Sequence, residues 1–263
     1  MSFGPRPWQQ AHWDWRAAAN FLLGGAGAGL IVASALTLGT QRAALFAGLV
    51  LVAAGLGAVW LEIGRKLRAG HVFFNPWTSW MTRESLAAVM LFGFGISSLI
   101  LDQSGLMYAA TIAALAFVYC QGRILRASKG IPAWRLPQVT LLIATTSLAE
   151  GAGLLTFLDQ GAPVLGLLAA AVIARAIALS GYRAALRQPG SRAALEAPAR
   201  ALMQAGTIAP LALAVAALFV PQVAPLAGLA ALLAGWWFKF VLVTRAAYNQ
   251  GFALPRLPVR GAR

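Results

Sequence analysis

Eight stretches of this chain are each long and apolar enough to cross a lipid bilayer, and that repetition constrains the fold more than any other feature. A membrane helix needs about 20 mostly apolar residues. The stretches run over Arg16–Leu38, Ala43–Leu61, Ser85–Leu101, Leu106–Leu125, Val139–Leu158, Pro163–Gly181, Ala201–Val220 and Ala224–Val243. In hydrocarbon every backbone N–H and C=O must be satisfied internally, so such runs are helices. The expected class is an all-α, polytopic membrane protein with eight transmembrane helices in a single integral membrane domain. Composition agrees: 60% of the 263 residues are hydrophobic and only 11% are charged, whereas a soluble domain carries about a quarter charged. That is too little polar surface for a soluble enzyme and too much hydrophobicity for disorder.

The charges are lopsided, 21 Lys and Arg against 7 Asp and Glu, for a net +14. Nucleic acid is not the implied partner, because the basic residues lie between apolar runs and not on a soluble domain. Eight spans put both termini on one side. Of the 21 basic residues, 19 fall in the ends, loops and span termini of one side; Arg42 alone falls in the opposite loops, beside Asp102 and Asp159, and Arg175 is the one left within a span. The positive-inside bias places the charged side and both termini in the cytoplasm; the expected location is a bacterial inner membrane. The N-terminus lacks a basic region followed by a short apolar core and cleavage site, so it reads as a retained end.

Metal chemistry has few residues to draw on. One cysteine, Cys120, excludes a disulfide framework and an iron–sulfur cluster built from this chain. Two histidines, His12 and His71, lie outside the apolar runs, so no intramembrane axial pair for haem is expected and no metal site is predicted. The glycines of Gly24–Gly29 follow no strand and no Walker motif exists, so they are read as close helix packing.

The loop between the second and third spans is chemically the richest. It runs from Glu62-Ile-Gly-Arg-Lys-Leu-Arg68 through His71 to Asn75-Pro-Trp-Thr-Ser-Trp-Met-Thr-Arg-Glu84. Trp77 and Trp80 suit an interfacial belt, Arg65 and Lys66 the positive-inside rule, and Thr82 a helix cap with Glu84 near the positive helix end. Glu62 at the end of a span and His71 nearby go beyond those roles. Two carboxylates, a histidine and several arginines at the membrane boundary suit proton exchange with a lipid-soluble redox carrier.

The Glu62-Ile-Gly-Arg-x-x-Arg run followed by Ser79-Trp-Met-Thr-Arg-Glu84 resembles the membrane anchors of complex iron–sulfur molybdoenzymes, the NrfD, polysulfide reductase and dimethyl sulfoxide (DMSO) reductase anchor subunits. Trp13-Asp-Trp15, Asn20-Phe-Leu-Leu-Gly-Gly25, Tyr119-Cys-Gln-Gly122, and Trp134 with Pro137 are similar marks. The end, Thr244-Arg-Ala-Ala-Tyr-Asn-Gln-Gly-Phe252, looks most like the phenylacetyl-CoA:acceptor oxidoreductase subgroup. The resemblance implies an anchor subunit that binds a quinone or quinol (ubiquinone or menaquinone), without haem in this branch. Its implied partners are a ferredoxin-like iron–sulfur subunit and a molybdopterin catalytic subunit. Glu62 stands where DMSO reductase-type anchors carry a His two positions before the Gly-Arg, and this leans toward the polysulfide reductase branch.

On that resemblance Glu62, His71 and Glu84 are the expected proton-handling residues. Asn20 and Tyr119 are candidates for hydrogen-bonding a quinone carbonyl, with Arg65, Arg68 and Arg83 orienting the headgroup or binding the partner. Glu150 and Arg175 are intramembrane ions and functional candidates by default, read either as a buried ion pair or as a proton pathway. Lys239 is expected to snorkel and Cys120 to pack. The alternative function is a small secondary transporter coupled through Glu150 and Arg175. Its usual sign is an internal repeat with broken helices; Pro210 interrupts the seventh span, but no repeat is evident in the sequence. A purely structural anchor is the third reading.

Overall fold

The computed structural model describes residues 7–37, 42–64 and 66–251, with the side chains of 66–68 left out of the description. All regular structure among these residues is helical. Eight helices are long and apolar enough to cross a membrane: α1 Trp15–Leu36, α2 Arg42–Glu62, α3 Trp80–Leu101, α4 Ser104–Ala127, α5 Gln138–Leu155, α6 Ala162–Ala185, α7 Pro189–Ala217 and α8 Pro221–Val243. Two of them start earlier than their hydropathy. Helix α3 begins at Trp80 because Ser79 accepts a hydrogen bond from the Thr82 amide at 3.3 Å. Ser79 is thus the cap and Thr82 is buried inside the helix, a correction to the expected capping role. Helix α7 starts at Pro189 with an amphipathic segment carrying Arg192, Glu196 and Arg200, charges that hide it from an apolar scan.

Helix α1 sits at the centre, packing on α2, α4 and α5 and, through its first turns, on α8. The neighbour order is duplicated. In α1–α4 the first helix packs on the second and fourth, and the third on the fourth; α5–α8 repeat this order. Because each half has four spans, the halves run in the same sense. The sequence conceals this repeat because like neighbours are made by unlike residues.

Where the halves meet, backbones touch. A Cβ at Gly29 would collide with the Ser147 carbonyl, and one at Gly151 with the Gly29 backbone. Lipid provides no hydrophobic drive between helices, so such small-residue contacts supply the packing. The two ends of the chain are also joined. The Trp8 amide donates to Asn249 Oδ1 at 2.9 Å, the Asn249 amide to the Trp8 carbonyl at 3.0 Å, and Gln9 bridges Tyr248. Both described ends therefore lie on one side of the bundle. Trp134 closes that side: its ring packs 4.8 Å from Trp13 and its indole N–H donates to the Leu242 carbonyl at 2.8 Å.

Candidate functional site at one end of the first four helices

Two helices contain a π turn, and both turns set up polar contacts. In α1 the turn is Asn20–Gly24 and in α7 it is Gln204–Ile208. A π turn widens the helix and shifts backbone pairing, which is why such turns gather at functional places. In α1 it turns the Asn20 carbonyl to Gln121 Nε2 at 2.8 Å and the Phe21 carbonyl to Lys239 Nζ at 2.7 Å. In α7, Pro210 lacks the N–H that would bond the Gly206 carbonyl four residues back. The Arg175 guanidinium donates to that carbonyl instead, and also to the Ala231 carbonyl at 2.9 Å.

Beside the α1 π turn lies a cavity of about 190 Å³, lined by Trp13, Ala17, Asn20, Phe21, Val59, Glu62, Ile63, Met81, Glu84 and Ile124. It collects the ends of α1, α2, α3 and α4 that lie on the side where both chain ends meet. Its walls are apolar apart from three side chains, and all three were candidates from the sequence. Glu84 is buried and accepts from Asn20 Nδ2 at 2.9 Å. Glu62 is half-buried at the end of α2. Just outside, Asp14 caps α1 by accepting from the Arg16 amide at 2.8 Å, and pairs with the Arg16 guanidinium at 2.8 Å. The Arg16 hydrogen bond holds the Asp14 carboxyl below its ordinary value of 3.8.

The other sequence candidates stand apart from this cavity. His71 is exposed in a 3-10 turn, Lys66–Phe74, with its ring edge-on to Phe74 at 5.4 Å. Tyr119 is exposed and accepts from Arg123 at 2.6 Å. Arg83 donates to the Pro76 carbonyl at 2.8 Å and the Trp77 carbonyl at 2.7 Å, tying the loop to α3. Arg83 and Arg123 each lie 4.1 Å from the Trp80 ring centroid, a doubled cation–π contact. Arg65 and the side chain of Arg68 lie outside the described residues.

Deeper in the bundle the expected pairing of Glu150 with Arg175 is replaced. Lys239 is fully buried and its Nζ meets Glu150 Oε2 at 2.6 Å, so Lys239 does not snorkel. It lies on the inward face of α8, where Glu150 and the Phe21 carbonyl compensate it better than the interface would. Glu150 and Arg175 approach each other across Gly235, whose absent Cβ would meet Glu150 Oε1 at 2.5 Å and an Arg175 nitrogen at 3.2 Å. Gly25 plays the same part nearer the cavity: a Cβ there would meet Lys239 Nζ and Ser147 Oγ at 2.7 Å and Gln121 Oε1 at 3.2 Å. A polar line therefore runs from Glu84 through Asn20 and Gln121 to Lys239, Glu150 and Arg175.

Sequence reasoning missed Gln121 and Lys239 as members of this line. Gln121 was detectable as an uncharged polar residue inside an apolar helix, two positions from Tyr119. Among the described residues no cluster of three or more His, Cys, Asp or Glu forms that would hold a metal. No protein-family model matches the chain, and no curated protein matches it in sequence.

Proposed function

We propose that this chain is the quinone-reactive membrane anchor of a molybdopterin and iron–sulfur oxidoreductase. The observation that carries the proposal is the convergence of Glu62, Glu84 and Asn20, from three helices, on one apolar cavity at the end of the bundle that bears both chain ends. An apolar cavity of about 150 Å³ is enough to hold benzene, so about 190 Å³ accepts one quinone ring between Trp13, Phe21, Val59 and Met81. A bound quinone supplies reversible two-electron, two-proton chemistry. The protein supplies proton handling: half-buried Glu62 exchanges with water at the rim, while buried Glu84 holds a proton against the ring. Asn20 orients Glu84 and is itself fixed by Gln121.

The positive-inside bias puts this cavity on the cytoplasmic side. A ferredoxin-like subunit would dock there and carry electrons to or from a cytoplasmic molybdopterin subunit. A bacterial inner membrane is the corresponding location. The geometry gives a transporter less support. The halves do repeat, but they meet through backbone contact at Gly29, Ser147 and Gly151, where alternating access would need movement. Arg175 is committed to two backbone carbonyls.

The test is binding of a short-chain quinone to the purified protein in detergent, read as quenching of tryptophan fluorescence. Saturable quenching that is lost in Val59→Trp, which fills the cavity, supports the site. Absence of saturable binding overturns it. In the assembled complex, unchanged quinone turnover in both Glu62→Gln and Glu84→Gln removes these carboxylates from the mechanism.

A further inference from the structure

The duplicated neighbour order gives the cavity between α2 and α3 a counterpart in the second half, between the end of α6 and the start of α7. A larger groove of about 820 Å³ occupies that place. Its chemistry is opposite to that of the first. Arg183, in the last turn of α6, and Arg192, in the first turn of α7, stand at its mouth, both exposed. Among the described residues neither guanidinium makes an ion pair or a side-chain hydrogen bond. Glu196, the acidic lining residue, is engaged with Arg200 at 3.7 Å. The floor is apolar, made by buried Leu186, Leu195 and Phe238.

We infer that this groove binds a membrane lipid with an anionic phosphate headgroup, the phosphate held by Arg183 and Arg192 and an acyl chain laid on Leu186, Leu195 and Phe238. A guanidinium fork matches phosphate geometry with two parallel donors. The apolar floor reaches Phe238, well inside α8, which a free phosphate would leave unfilled. The groove also opens on the lipid-facing stripe of α6. Ile173 and Ile177 are exposed there, and Ser180 and Ala184 continue the same helical face into the groove. A lipid therefore enters sideways from the bilayer. This site does not depend on the quinone proposal.

The experiment uses the full chain, delipidated in a neutral detergent. Phosphatidylglycerol, phosphatidylcholine and inorganic phosphate are added separately, with lipid adducts counted by native mass spectrometry and thermal unfolding followed in parallel. Phosphatidylglycerol should be retained over phosphatidylcholine and raise Tm by about 2–4 °C. Each arginine near a headgroup is worth about a factor of five in affinity, so Arg183→Gln with Arg192→Gln should weaken phosphatidylglycerol retention about tenfold or more. Arg187→Gln, which neutralises an arginine of the same loop outside the groove, should leave it unchanged. Equal loss in Arg187→Gln, or no loss in the double variant, would show only diffuse attraction and overturn the site. Equal stabilisation by inorganic phosphate would make it a free-anion site and overturn the lipid assignment.

Discussion

Lys239 Nζ lies 2.6 Å from Glu150 Oε2, with both side chains fully enclosed by the bundle. The same ammonium donates to the Phe21 carbonyl at 2.7 Å and to Ser147 Oγ at 3.2 Å. All three of its hydrogens are thereby used, and one cation joins α1, α5 and α8. Removing one partner of a buried pair strands the other, at a cost of about 3–5 kcal/mol. Lys239→Met should therefore destabilise severely, and Glu150→Gln less so, because Lys239 keeps its two neutral acceptors. The double variant should cost less than the sum of the two. Unfolding of all four proteins in a double-mutant cycle measures the coupling; simple additivity would show that the pair does not act as a unit.

Arg175 performs a different task from the one its charge suggested. Pro210 deprives the Gly206 carbonyl of its helical donor, and Arg175 replaces it. Pro210→Ala restores an N–H within reach of that carbonyl. Arg175→Met in the native background should then cost more than Arg175→Met in the Pro210→Ala background. The difference should be about 1 kcal/mol, the net worth of one satisfied carbonyl. Identical costs would mean that the Gly206 contact adds nothing, leaving the Ala231 bond and the charge as the source of Arg175's effect.

These two residues show where sequence legibility ends. The eight spans are readable because the bilayer imposes length and apolarity along one helix at a time, and the side shared by both ends follows from an even count. That Glu62 and Glu84 could meet at one cavity is readable because both stand at facing ends of consecutive spans joined by one loop. Lys239 was misread because its sequence position, near a helix end, permits snorkelling; the deciding partner is on α5, 89 residues away. His71 and Tyr119 sit close to the cavity in sequence, yet their helical faces turn them elsewhere. Periodicity along one helix cannot reveal which face meets a cavity made by three others.

Glycines that look alike in the sequence should respond very differently to a methyl group. At Gly29 and Gly151 the added Cβ meets backbone of the other helix, which has no rotamer to yield. Gly29→Ala should force α1 and α5 apart and cost at least about 2 kcal/mol. At Gly57, Gly93 and Gly166, helix-interior positions, nothing lies within 4 Å of the new atom. Alanine there should be neutral or stabilise by up to about 1 kcal/mol through helix propensity. Thermal unfolding of the single variants tests the contrast; similar losses at all five positions would refute it.

Asp14 begins α1 and so fixes the register that brings Asn20 to the cavity. Its carboxylate both caps the helix and pairs with Arg16. Asp14→Ala should cost about 1 kcal/mol at neutral pH, while Asp14→Asn keeps the capping oxygen and loses only a partly exposed, solvent-screened ion pair, a smaller effect. The folded carboxyl titrates below 3.8, with the Arg16 hydrogen bond as the first cause. A depressed folded value contributes stability that is fully present above the unfolded value and is lost as pH falls through the folded one. The advantage of the native protein over Asp14→Asn should thus be constant at neutral pH and shrink as pH falls below the ordinary value of 3.8 and through the lowered folded one. Denaturant unfolding of both proteins across that range is the measurement, and an advantage that grows in acid would contradict the ion pair as its source.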